Sequence, residues 1–277
     1  MSMRKEDTVA PKRAGFLMTL WIIIASAATT LYHCLVVLTM TGRQRPDYRR
    51  RVDRVIRSWA DSLIRIVDMR LSVKGREHWR PTPGRAYLIM SSHASNYDIP
   101  ATYLALDGSI RMLAKRELLS IPIFGRAMRV AEFLFVDRRN HEQALKDLAF
   151  AKKKMEDGII LWMAPEGTRS RDGRLQPLKK GGFHLAFDTD AIVVPIGFRN
   201  IATVQPAKTL RWTLHQPVEC HIGQPIDTRQ FSKRDIPALM AEVREQLLVL
   251  TGEADEVSRL GEGKVETSTE QAVPVEN

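Results

Sequence analysis

Six short apolar runs separated by helical or turn-rich stretches occupy residues 71–198, and this alternation constrains the fold more than any other feature. The runs are Leu71–Val73, Ala86–Met90, Ile110–Leu113, Phe133–Val136, Ile159–Met163 and Ala191–Phe198. Asn140–Glu156 is the clearest helical pattern between them. Strands that alternate with helices pack as a sheet covered by helices. The sequence therefore predicts an α/β fold with a mixed sheet layered with helices.

Later segments extend this fold. Arg211–Leu214 and Val218–Ile222 are predicted to be further strands, and Lys233–Leu250 a closing helix. Pro195 lies inside the last of the six runs. Because proline cannot donate to a strand ladder, that run is predicted to be an edge strand or an interrupted one.

A second constraint comes from residues 14–40, which contain no Asp, Glu, Lys or Arg. A membrane-spanning helix needs roughly 20 apolar residues. Lys12-Arg13, the Phe16–Ile24 run and Ala25-Ser26-Ala27 also imitate a signal peptide, but the apolar character resumes at Leu31, which favours an uncleaved membrane-inserted helix. Basic residues flank both ends, so the sequence leaves open whether this helix spans the bilayer, with its richer C-terminal flank in the cytoplasm, or is re-entrant.

The segment that follows is predicted to be an amphipathic helix. Its apolar side chains recur at helical spacing, at Val52, Val55, Ile56, Trp59, Leu63, Ile66 and Val67. Arginines lie among them, at Arg49, Arg50, Arg54, Arg57 and Arg65. Such a helix packs on the core or lies at a membrane interface with its arginines at anionic headgroups, and both interpretations stay open.

Charge divides the chain unevenly. The formal net charge is +10, although residues 252–277 hold seven acidic and only two basic side chains. A surface this basic requires an anionic partner, which is nucleic acid, an acidic membrane face or a phosphorylated substrate. We expect a disordered N-terminus over 1–13, a membrane-associated helical segment over 14–69, one α/β domain over 70–251 and a disordered acidic tail over 252–277.

The candidate chemistry starts with His93 and Asp98, which follow the Ala86–Met90 run. Asp98, with Pro100 two residues later, is typical of a helix start. His93 would then lie in a loop at the carboxyl end of a strand, where open α/β sheets place their sites. A histidine held by a carboxylate can act as a general base toward a hydroxyl group. The spacing alone is common, so the prediction depends on the motifs downstream.

Three more motifs follow the next predicted strands. They are Lys115-x-Glu-Leu-x-x-x-Pro-x-x-Gly125, Phe135-Val136-Asp137-Arg138 and Pro165-Glu166-Gly167-Thr168-Arg169-Ser170. Arg169 offers a planar fork of donors that suits phosphate. Lys179-Lys180-Gly181-Gly182 is predicted to begin a helix and to add an anion site.

In this order, the motifs resemble those of the glycerolipid acyltransferase family, and in particular the 1-acyl-sn-glycerol-3-phosphate acyltransferases. His93 and Asp98 match the family's His-x4-Asp block, and Pro165 to Ser170 match its Pro-Glu-Gly-Thr-Arg-Ser block without change. The resemblance covers roughly residues 70 to 200. Two departures are Ser92, where many members have Asn, and Leu175-Gln176-Pro177-Leu178, which replaces a more usual Phe-x-Pro-Phe.

The resemblance implies transfer of a fatty acyl group from an acyl thioester, carried by coenzyme A or acyl carrier protein, to a lysophospholipid hydroxyl. His93 and Asp98 would be catalytic. The implied substrate-binding residues are Glu166, Gly167, Thr168, Arg169, Lys115 and Arg138. Within this set Glu166 would orient Arg169 or a glycerol hydroxyl. No metal or cofactor is implied, and the expected location is the cytoplasmic face of a membrane.

Two alternatives remain at this stage. The same motifs serve acyltransferases with other acceptors, such as lyso-ornithine lipid or another lysophospholipid. A basic membrane- or nucleic-acid-binding protein without catalysis is the alternative of a different class. Few aromatic residues interleave with the basic ones, and the apolar N-terminus favours lipid, so nucleic acid is not an expected partner.

Overall fold

The structure is a computed structural model that describes residues 9–40, 47–137, 140–231 and 234–254. The strands are β1 (Lys12–Arg13), β2 (Arg70–Lys74), β3 (Tyr87–Ser91), β4 (Ile110–Lys115), β5 (Leu134–Val136), β6 (Ile160–Met163), β7 (Ile192–Arg199), β8 (Thr213–Leu214), β9 (Pro217–Ile222) and β10 (Ile226–Asp227). The helices are α1 (Phe16–Leu38), α2 (Tyr48–Ile66), α3 (Asp98–Ala105), α4 (Phe124–Val130), α5 (His141–Glu156), α6 (Gly181–Asp188), α7 (Ile201–Val204) and α8 (Ile236–Thr251).

A mixed sheet of strand order β2-β9-β7-β3-β6-β4-β5 forms the centre of the fold, and β10 pairs with β7. Its middle strand β3 is parallel to both neighbours and is buried along its whole length. Successive side chains of a strand point to opposite faces. Accordingly Tyr87 and Ile89 pack in the cluster that includes α1 to α4, while Leu88 and Met90 pack in the cluster beneath α5, α6 and α8. The predicted α/β class with a mixed, helix-layered sheet is confirmed.

The edge-strand expectation for the run with Pro195 is wrong. Strand β7 lies inside the sheet, between β9 and β3. On its β9 side the partner changes near the proline, because β10 pairs with Ile192 and Val193 whereas β9 pairs from Ile196 onward. The other alternative, an interrupted strand, agrees with the structure on this side, because the ladder is interrupted around Pro195, the residue without an N–H.

Helix α1 lies along the domain and is attached to it at both ends. Before its start, the Ala14 amide donates to the Trp212 carbonyl at 2.9 Å. Near its end, Val37 is buried in the core of the domain, and His33 Nε2 lies 3.1 Å from Ser58 Oγ of α2. Strand β1 pairs with β8, so the expectation of disorder over 1–13 is wrong at Lys12 and Arg13; residues 1–8 lie outside the described residues.

Helix α2 packs its predicted stripe onto the core. Val52 and Ile56 are buried there, and Arg49 pairs with Glu132 at 2.8 Å. The buried side chains of α2 belong to the same cluster as Ile89 of the central strand. The division at residues 69 and 70 stays a prediction, and the acidic tail lies outside the described residues from 255 onward.

Candidate active site

The His93–Asp98 pair is assembled by the loop that leaves β3. The His93 Nδ1 and Asp98 Oδ2 atoms are 2.7 Å apart. Asp98 is the first residue of α3, and its side chain is fully buried, whereas 18% of the His93 side chain is exposed. The loop has folded the imidazole back onto the carboxylate. The opposite ring nitrogen, Nε2, is then the one left to exchange a proton.

The loop backbone also holds Asp98. Its Oδ2 atom accepts hydrogen bonds from the amides of Ala94 at 2.9 Å and Ser95 at 3.0 Å. Ser95 in turn donates its hydroxyl to the Gln205 carbonyl at 3.0 Å. Three donors on one buried oxygen fix the carboxylate in place, and the carboxylate fixes the imidazole. This arrangement is what a positioned general base requires.

Glu166 braces the same loop from a second strand end. Its Oε1 accepts from the His93 amide at 2.7 Å, and its Oε2 accepts from the Gln176 amide at 2.8 Å. The residue is 2% exposed. We expected Glu166 to orient Arg169 or a glycerol hydroxyl, but both of its oxygens are already engaged by backbone amides. Burial raises the pKa of Glu166 to about 7, although the two backbone hydrogen bonds act in the opposite direction.

Two further contacts around His93 were not predicted from the sequence. The Ser170 amide donates to the His93 carbonyl at 2.7 Å. The Pro165–Ser170 turn therefore forms hydrogen bonds with both the amide and the carbonyl group of His93. The Trp162 ring meets the imidazole edge to face, with 6.2 Å between ring centroids. Only the position of Trp162 in a strand next to β3 could have suggested this contact.

The predicted phosphate-binding residues occupy the same edge of the sheet. Arg169 is half-buried, and within the described ranges its guanidinium has no hydrogen-bond or ion-pair partner. Lys115 is exposed at the end of β4 and is likewise without a described partner. Gly167 forms the turn with φ +77°, a conformation that favours glycine, and Thr168 is exposed. Arg138 lies outside the described residues.

An apolar cavity of about 280 Å³ lies beside the loop that carries His93. Its lining includes Asn96 and Ile99, which lie shortly after His93 in the chain. Its walls come from α1, α2 and α4 and include Cys34, Val37, Ile56, Trp59, Phe124 and Met128. A space with such a lining suits a hydrocarbon chain. Across the part of the chain that is described, no three His, Cys, Asp or Glu side chains cluster as metal ligands would.

Comparison with known proteins defines the class of this chain. A family model described as Acyltransferase matches residues 70–199. Human 1-acyl-sn-glycerol-3-phosphate acyltransferase alpha is 30% identical over 194 residues, which span 70% of this chain and 68% of the human protein. The mouse protein of the same name is 30% identical over 66% of this chain and 64% of its own length. The chain belongs to this acyltransferase family.

Bacterial relatives carry the same name. The 1-acyl-sn-glycerol-3-phosphate acyltransferase of Escherichia coli is 29% identical over 67% of this chain and 77% of its own length. In structure, the chain resembles the 1-acyl-sn-glycerophosphate acyltransferase PlsC from Thermotoga maritima, with a TM-score of 0.70 and 23% identity over 86% of this chain and 95% of that one. That similarity shows a shared fold.

Proposed function

We propose that this protein transfers a fatty acyl group from an acyl thioester to the free hydroxyl of 1-acyl-sn-glycerol 3-phosphate, forming phosphatidic acid. The observation that carries the proposal is a His–Asp pair whose Asp side is buried and whose His side is partly exposed. An apolar cavity lies beside it, as does the guanidinium of Arg169, which has no partner among the described residues. These features supply a base, a place for the acyl chain and a cation for the acceptor phosphate. The names of the relatives support the same acceptor.

His93 Nε2 would take the proton of the acceptor hydroxyl while Nδ1–H donates to Asp98, whose charge stabilises the imidazolium that forms. The hydroxyl oxygen then attacks the thioester carbonyl and forms a C–O bond. When the tetrahedral intermediate collapses, the C–S bond breaks and the proton passes from His93 to the departing sulfur. Neither cysteine is in this loop, and the sequence has no Ser-centred nucleophile elbow, so transfer is direct.

The donor and the acceptor would meet at His93 from different sides. The thioester places its acyl chain in the apolar cavity beside Asn96 and Ile99. The acceptor phosphate binds the planar fork of Arg169, with Lys115 as a second cation. Glu166 acts as a positioning residue, since its carboxylate holds the His93 backbone.

Helix α1 would place this site at the membrane surface. Its outward face exposes apolar side chains, for example Phe16, Leu17 and Ile24. Because α1 contacts the same domain near both of its ends, we infer that it enters one leaflet rather than crossing the bilayer. The basic α2 then lies against anionic headgroups, which favours the cytoplasmic face. The carrier is coenzyme A or acyl carrier protein.

Arg169 provides the test. Lysine keeps its charge but loses the bidentate geometry, so Arg169→Lys should weaken lysophosphatidate use and Arg169→Ala should weaken it further. A hydrogen bond to a charged group contributes about 1.5–3 kcal/mol, so the alanine variant should lose on the order of 10–150-fold in kcat/KM for lysophosphatidate. Use of the dephosphorylated monoacylglycerol should change far less.

The matched control is Arg171→Ala, which removes an exposed arginine two residues away and should leave acceptor preference unchanged. Lyso-ornithine lipid and other lysophospholipids complete the acceptor panel. If the Arg169 variants lost kcat/KM equally for lysophosphatidate and monoacylglycerol, Arg169 would stabilise the turn rather than bind the phosphate. A wild-type preference for a phosphate-free acceptor would refute the proposed substrate.

A further inference from the structure

A second cavity lies on the outer side of the α1–α2 pair, and the proposed reaction does not use it. Its volume is about 290 Å³. It is lined by Tyr32, His33, Val36, Met40, Arg51, Arg54, Val55 and Ser58, and we name it the α1–α2 groove. The groove is open at the surface, where the Tyr32 side chain is 62% exposed.

The groove is separate from the apolar cavity beside His93. His33 and Val55 contribute to the walls of both spaces. Between them, His33 Nε2 and Ser58 Oγ form a hydrogen bond of 3.1 Å, while His33 Nδ1 lies 2.7 Å from the Thr29 carbonyl oxygen. His33 thus has partners on both ring nitrogens and acts as a wall. A molecule in the groove would not occupy the space proposed for the donor acyl chain.

The two sides of the groove differ in chemistry. Tyr32, Val36 and Met40 give it an apolar side that continues the exposed face of α1. On the α2 side, Arg54 is exposed and has no hydrogen-bond or ion-pair partner in the described part of the chain. Arg50, one helical turn earlier on the same face, is also exposed and lacks a described partner. The described carboxylates nearest in sequence already have partners, since Asp47 pairs with Arg51 and Asp53 pairs with Arg111.

We propose that the α1–α2 groove binds one anionic phospholipid of the surrounding membrane. The headgroup phosphate lies at Arg54, with Arg50 one helical turn away on the same face of α2, and an acyl tail follows Tyr32, Val36 and Met40. A guanidinium binds phosphate through charge-assisted hydrogen bonds, and basic pockets between helices at the membrane surface suit such headgroups. The lipid would hold α1 against α2 and so support one wall of the cavity beside His93. This proposal rests on the membrane placement of α1 given above.

The test measures lipid that remains bound to the full-length protein after transfer from vesicles into mild detergent. Vesicles contain phosphatidylcholine with or without phosphatidylglycerol, and native mass spectrometry counts the bound lipids. We expect the wild type to retain one phosphatidylglycerol in preference to phosphatidylcholine. Arg54→Gln should reduce phosphatidylglycerol retention about 10-fold and abolish the preference, because one charged contact is lost. Val36→Trp, which fills the groove, should reduce retention of both lipids.

Arg65→Gln is the matched control for charge, since Arg65 is an exposed arginine near the other end of α2 that pairs with Asp61. It should retain lipid like the wild type. Equal loss in the Arg54 and Arg65 variants would show a general effect of charge, and unchanged retention in both the Arg54 and Val36 variants would also overturn the proposal. Melting temperatures separate misfolding from loss of the site.

Co-sedimentation with vesicles is measured in parallel. A wild type that does not bind vesicles refutes the membrane placement of α1 itself, whereas a wild type that binds vesicles but retains no lipid refutes only the proposed groove site.

Discussion

The pairs His93–Asp98 and His215–Asp68 join the same two atoms at nearly the same distance, in very different surroundings. The separation between Nδ1 and Oδ2 is 2.7 Å in the first pair and 2.6 Å in the second. The Asp98 side chain is fully buried, whereas the Asp68 side chain is 67% exposed. A contact between imidazole and carboxylate therefore cannot by itself identify the catalytic pair.

The difference lies in what holds each partner. The Asp98 carboxylate accepts hydrogen bonds from two backbone amides in addition to its contact with His93. The backbone amide and carbonyl of His93 also form hydrogen bonds, with Glu166 and Ser170. Within the described ranges, the Asp68 carboxylate accepts a hydrogen bond from His215 alone. Because the Asp68 side chain lies largely in water, its contact with His215 contributes little to stability. Fixed geometry, supplied by burial and by backbone donors, is what distinguishes the proposed base.

Among changes that leave both imidazoles in place, Asp98→Asn should have the largest effect. An amide cannot stabilise the imidazolium and does not select the tautomer with hydrogen on Nδ1, so kcat should fall by about 10²–10⁴-fold. Asp68→Asn, the matched change at the exposed pair, should alter kcat by no more than about twofold. Steady-state transfer kinetics on purified, folded variants check both values. Equal losses of kcat in the two variants would contradict the proposal that His93–Asp98, and not His215–Asp68, is the catalytic pair.

A smaller loss is expected from Glu166→Gln. The glutamine amide can accept only one of the two backbone hydrogen bonds, so the His93 loop loses part of its support. We expect kcat to fall about 10-fold while KM for the acceptor stays near its wild-type value. Glu142→Gln, an exposed glutamate on α5, serves as the control. A raised acceptor KM with unchanged kcat would instead support the earlier prediction that Glu166 binds substrate.

The smallest effect concerns the pH dependence of stability. Because the pKa of Glu166 in the folded protein is about 7, above its ordinary 4.5, the folded state holds this proton more tightly than the unfolded chain does. Stability from this group is present at low pH and is lost as pH rises toward 7. The melting temperature of the wild type relative to Glu166→Gln should therefore fall between about pH 5 and pH 8. A difference that is constant or rises with pH would contradict the raised pKa.

Much of the fold could be read from the sequence because strands buried on both faces leave continuous apolar runs. The predicted runs that became β3, β4, β6 and β7 each agree with the structure to within a few residues. For the run with Pro195 only the edge-strand alternative was wrong, because a proline shows that one N–H is missing but not which strands lie on either side. The pairing of Lys12–Arg13 with β8 depends on residues some two hundred positions away and left no local pattern.

The candidate site shows the same limit. Motif order placed His93, Asp98 and Arg169 at one edge of the sheet, and their roles stay proposals. The two hydrogen bonds that Glu166 accepts from backbone amides could not be predicted. Nearly every residue has a backbone N–H, so the sequence does not indicate which of them a carboxylate will contact. The contact between Asp68 and His215 could not be predicted from the sequence either, because 147 positions separate the two residues. Tertiary contacts of this kind follow from the fold and not from residue type.

Single-turnover transfer by His93→Ala and His215→Ala, measured side by side on folded protein with saturating donor and acceptor, tests the central claim most directly. The claim predicts that His93→Ala loses at least about 10²-fold in the transfer rate, since a general base is removed. It predicts that His215→Ala transfers at close to the wild-type rate. Folding and vesicle binding should be unchanged in both variants. Near-normal transfer by folded His93→Ala, or an equal loss in His215→Ala, would contradict the account.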